Sequence, residues 1–150
     1  QVHNFIFRDF KLHKLFEIAS VRSFLTYFCH CMKALSEQEI HQLAMQEVGG
    51  FLEAEGYEFL AVNSEMKRSP QFVCVKDKVL YFVVVEGCLY PKSPRTYNQE
   101  RMGKVKIHAE KNSAKLYFAG VGFAHAKDYN LPLNKNNPYV VNFSGLEQIL

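Results

Sequence analysis

Apolar side chains at Ile40, Leu43, Ala44, Val48, Phe51 and Leu52 recur at three- and four-residue steps. Ser36 with Glu39 three residues later forms a capping-box pattern before them, and Gly56 follows as a stop, so this spacing predicts a helix. Residues 57–63, 71–75 and 79–85 then read as strands, the last two joined by the short turn Lys76, Asp77, Lys78 as a hairpin. The run 79–85 is apolar at nearly every position, which predicts a central strand covered on both faces. Pro91 and Pro94 make residues 90–95 a loop. Residues 98–111 fit a helix through Met102, Val105 and Ala109 but also alternate at Val105, Ile107 and Ala109; the stop at Asn112 and Ser113 favours the helix. A strand over 116–124 follows, then a loop over 130–137, a strand over 139–143 and a terminal turn over 146–150.

Residues 1–35 are rich in phenylalanine, with Phe5, Phe7, Phe10, Phe16, Phe24 and Phe28 falling partly at helical spacing. They predict a helical extension of one or two helices packed on the core, or a docking surface for a protein partner. The expected organisation is that extension over 1–35 and one α+β domain over 36–150.

At 150 residues with 48% hydrophobic and 22% charged side chains, the chain has the profile of an ordinary globular domain and can bury a core without disulfides. No apolar run approaches the ~20 residues needed to cross a bilayer, and no signal-peptide pattern opens the chain, so no membrane partner and an intracellular, cytoplasmic location are expected. The first residue is Gln1 and not methionine, consistent with a piece of a longer protein. Cys29, Cys31, Cys74 and Cys88 lack paired metal-site spacing and read as reduced thiols, with no metal expected.

The net charge of +3 conceals an uneven distribution. Residues 37–58 hold six acids and no Lys or Arg, whereas residues 64–115 hold eleven basic residues against five acids. The second segment is where a polyanion would bind.

Within it stand Ser69-Pro70-Gln71-Phe72-Val73 and Phe82-Val83-Val84-Val85-Glu86. With the helix, hairpin, helix and strand around them, these segments resemble the two halves of the PD-(D/E)xK signature of the restriction-endonuclease-like nucleases. That resemblance implies an αβββαβ core with a mixed central sheet, extra N-terminal helices aside. In such nucleases a Pro-Asp opens the second strand and a Glu-x-Lys lies on the third. The acids hold divalent cations that neutralise the phosphodiester and generate hydroxide, and the lysine orients the water. Carried over by position, the aspartate falls on Gln71, the glutamate on Val84 and the lysine on Glu86, so the site is degenerate. A shift by two residues puts Glu86 and Cys88 at the glutamate and lysine positions but leaves Gln71 uncharged.

The resemblance therefore implies a catalytically degenerate module that binds nucleic acid or serves assembly, with no cofactor. An active nuclease would need Mg or Mn held by Glu86 and a helix acid such as Glu47; a purely structural or oligomerisation role is the third possibility. Arg101, Lys104, His108 and Lys111 are spaced to share one helix face, and Lys67, Arg68, Lys92 and Arg95 would extend this stripe toward DNA or RNA.

Overall fold

The computed structural model describes residues 33–150, so residues 1–32 of the expected Phe-rich extension, with Cys29 and Cys31, lie outside the described residues. The chain divides into two units. One is Gln1–Ala34 with Asn134–Asn136, whose described part carries an isolated bridge between Ala34 and Asn134. The other, Leu35–Leu133 with Asn137–Leu150, is an α+β domain built on a six-stranded mixed sheet.

Helix α1 (Glu37–Ala54) starts at the predicted capping box: Ser36 Oγ accepts from the Glu39 amide, and the Ser36 amide donates to Glu39 Oε2 at 2.8 Å. Gly56, at φ +78°, turns the chain into β1 (Glu58–Val62). Strands β2 (Phe72–Lys76) and β3 (Val79–Leu89) form the predicted hairpin, with Asp77 and Lys78 both at positive φ in its turn. Helix α2 (Gln99–Lys111), capped by the Asn98 side chain, crosses back so that β4 (Lys115–His125) lies parallel to β3. β5 (Tyr139–Phe143) and β6 (Glu147–Gln148) both pair antiparallel with β4. The sheet order is β1-β2-β3-β4-β5.

β3 is central as its composition predicts. Val83 and Val85 pack with Ile40, Ala44, Val48 and Leu52 of α1, while Phe82 and Val84 pack with Met102, Val105 and Ala109 of α2. Two expectations change. β3 continues four residues past Val85 because β4 pairs with it as far as Leu89, so Glu86 sits within the strand and not at its end. The expected terminal turn contains β6, because β5 pairs only with residues 121–125 of β4 and leaves the edge at Tyr117 and Phe118 open to Gln148 and Glu147. No helix among the described residues is long and apolar enough to cross a membrane.

Candidate functional site

Gln71, Val84 and Glu86 lie around the start of β2 and the facing part of β3. Phe72 lies opposite Val83, and the preceding residue, Gln71, replaces the next rung of the ladder with its side chain. Its Oε1 accepts from the Val85 amide at 3.0 Å, its Nε2 donates to the Arg68 carbonyl at 2.7 Å, and its own amide donates to the Val83 carbonyl. Gln71 is fully buried, and both ends of its amide are satisfied. Val84 is buried under α2 with no polar atom to offer.

Glu86 lies on the same face of β3 as Val84 and points toward α2. There Arg101 meets it, with Nη1 donating to Glu86 Oε1 at 3.1 Å. Nε of Arg101 donates to Ser69 Oγ at 3.0 Å, and Nη2 donates to that oxygen and to the Met66 carbonyl. Four of the five N–H donors of a guanidinium are thereby committed within the protein. Burial raises the Glu86 carboxyl above its ordinary range, and the Arg101 charge opposes that rise. His41 of α1 is buried, its Nε2 has no hydrogen-bond partner among the described residues, and burial together with Arg101 lowers its basicity.

Above this cluster, at the first turns of α2, opens a polar cleft of about 350 Å³ lined by Lys67, Ser69, Asn98, Glu100, Arg101 and Lys104. The fold thus brings Lys67, from the loop before β2, beside Arg101 and Lys104 of α2. Lys104 pairs with Glu100 at 2.7 Å, but both side chains are mostly in solvent, where such a pair contributes little. Other expected contributors are dispersed. Arg68 is exposed and bonds Glu65. Lys92 and Arg95 lie exposed on the loop after β3. Lys111, ten residues beyond Arg101, is about 15 Å farther along α2, and His108 lies against the Phe82 ring at 5.3 Å between centroids.

Glu47 is not brought to Glu86. α1 packs on the Val83 and Val85 face of the sheet and Glu86 projects to the other, so no second carboxylate joins it from that helix. One carboxylate already bonded to a guanidinium, an apolar Val84 and a spent Gln71 do not fit a divalent cation, which needs several oxygen ligands. Among the described residues, no three His, Cys, Asp or Glu side chains converge.

A family model described as Domain of unknown function (DUF8840) matches residues 38–149. The chain belongs to that family. No curated protein and no solved structure matches it. Ser69, Gln71, Glu86 and Arg101 all lie within the stretch matched to DUF8840.

Ser69 is the member of the cluster that sequence reasoning missed. One signal pointed toward the Arg101 pairing: a cation in the first turn of a helix opposes the macrodipole and calls for an acid partner. Arg101→Ala is expected to cost about 1–3 kcal/mol at pH 7, because it leaves Glu86 ionised, half-buried and unpaired. Since the folded-state pKa of Glu86 is already raised, that cost is small below the unfolded value of about 4.3 and grows as pH rises through the folded one. Urea denaturation at pH 4 and pH 7 measures the difference, and adding Glu86→Gln should recover part of the loss at pH 7 only.

Proposed function

We propose that this domain is a restriction-endonuclease-like module that has lost phosphodiester cleavage and binds the sugar-phosphate backbone of nucleic acid at the cleft beside α2. The observation that carries the reading is the Arg101–Glu86 pair beneath a cleft flanked by Lys67 and Lys104. In the signature, residues 71, 84 and 86 would hold and serve a metal; here a guanidinium of the chain itself neutralises the remaining acid. Element order supports the fold assignment, since α1-β1-β2-β3-α2-β4 follows αβββαβ with β3 and β4 parallel.

Lys67, from the loop before β2, and Lys104, from α2, supply phosphate contacts at the cleft, with Lys92 and Arg95 as outlying cations. Arg101 keeps the floor free of net negative charge without spending its donors on ligand. Binding by such contacts releases condensed counterions, so affinity should fall with salt at a log-log slope of about −0.9 for each phosphate neutralised on duplex DNA. Lys67→Ala with Lys104→Ala should reduce the magnitude of that slope by roughly 2 and weaken all sequences alike. Fluorescence anisotropy at low salt tests this, and absence of binding to any DNA or RNA at micromolar protein would sink it. Incubation with magnesium or manganese should leave the nucleic acid intact; cleavage abolished by Glu86→Ala would instead establish an active nuclease.

A further inference from the structure

On the same face of the sheet as the α2 cleft, a second recess of about 330 Å³ opens between the loop after β3 and strand β5. Its lining includes Gly122 and Ala124 of β4, with Asn142 opposite Gly122 and Pro94 seated against Gly122. Tyr90 and Tyr129 stand in its wall with ring centroids 5.7 Å apart, yet they remain 50% and 53% exposed. Two tyrosines paired with each other and left half in water are poorly explained by core packing. Among the described residues, Lys92 supplies the only charge in the lining and no carboxylate joins it.

Glu86 lies opposite Gly120 and Cys88 opposite Gly122, so the recess begins two residues farther along the sheet than the acid beneath the cleft. Two residues along a strand and one or two strands across amount to about 10 Å. A chain of phosphates lying on the cleft would therefore carry its bases past this recess.

We propose that the Tyr90–Tyr129 recess is a stacking site for an unpaired nucleobase, which makes single-stranded nucleic acid the preferred ligand. The inference rests on the phosphate-binding reading and adds a base-dependent contribution to it. A tyrosine face accepts any base by stacking, Lys92 meets the adjoining phosphate, and the Asn142 amide can bond a base edge. Bases held inside a duplex cannot reach the rings.

Anisotropy with three labelled probes of one length tests it: oligo(dT), an abasic strand of the same charge, and a duplex. The full chain should bind oligo(dT) about tenfold more tightly than the abasic strand. Tyr90→Ala with Tyr129→Ala should remove that advantage and leave the abasic strand and the duplex unchanged, while Tyr90→Phe with Tyr129→Phe should retain it because the faces remain. Thermal melting of each variant verifies the fold; if the alanine pair does not fold, the oligo(dT) to abasic ratio of the wild type still decides. Equal binding of oligo(dT) and the abasic strand, with the salt slope still dependent on Lys67 and Lys104, would overturn the stacking site alone. No binding of any probe would overturn both readings.

Discussion

Val84→Asp should destabilise the domain by about 3–5 kcal/mol at pH 7, a large share of the roughly 5–15 kcal/mol that holds a domain folded. Val84 is 1% exposed and packs among Phe82, Met102, Val105, Leu116 and Phe118, none of which can pair with a carboxylate. An introduced carboxyl there would have its folded pKa raised above the unfolded value of about 3.9, so its ionisation cost is absent below that pH and grows as pH rises. Val84→Asn, similar in shape and without charge, should cost less than Val84→Asp at pH 7, and the two should converge near pH 4. Chemical denaturation at both pH values checks this; equal midpoints for Val84→Asp and wild type at pH 7 would show that α2 does not cover this position. The same packing bears on function. An acid at residue 84 is tolerable only where a cation compensates it, and α2 fills that space with Met102 and Val105.

The parts of this fold that were legible in sequence are those encoded within one segment. The capping box and apolar period of α1 and the unbroken apolar run at the start of β3 each carry their own signal. The far half of β3 was hidden because Glu86, Gly87 and Cys88 interrupt that run, although Gly87 is needed where a Cβ would come within 2.8 Å of the Ile40 carbonyl oxygen. β6, at two residues, has no pattern to read and exists because β5 leaves part of β4 unpaired. For the site, motif spacing singles out Gln71, Val84 and Glu86 but says nothing of what meets them. The place of Arg101 in the first turn of α2 calls for an acid, but which acid meets it depends on how α2 returns across the sheet, and no local pattern states that. Likewise, the separation of Glu47 from Glu86 depends on which face α1 covers, and the amphipathic period of a helix does not specify its side of the sheet. Arg101 was expected on an exposed stripe with Lys104; the fold splits that stripe, turning Arg101 inward and leaving Lys104 in solvent.

Gly120→Ala is the second substitution expected to have a large effect, and it acts on the loop that separates the cleft from the tyrosine recess. A Cβ at Gly120 would lie 1.6 Å from the Pro94 carbonyl oxygen and 2.7 Å from its carbon, distances that only movement of backbone can relieve. Because Pro94 also touches Gly122, the loop is seated on β4 by two glycines on one face of the strand, and lifting it at Gly120 lifts it at both. The expected cost is about 2–4 kcal/mol, or a fall in Tm of roughly 10 °C for a domain of this size. Gly103→Ala provides the control: nothing lies within 4 Å of its Cβ, and it sits inside α2. It should stabilise the helix by about 0.8–1 kcal/mol. The displaced loop carries Tyr90, Lys92 and Pro94, so Gly120→Ala should also weaken oligo(dT) more than the abasic strand at a temperature where the variant remains folded. A Gly120→Ala protein that melts with the wild type would mean that Pro94 is not seated on β4, and the tyrosine recess would lose the wall that shapes it.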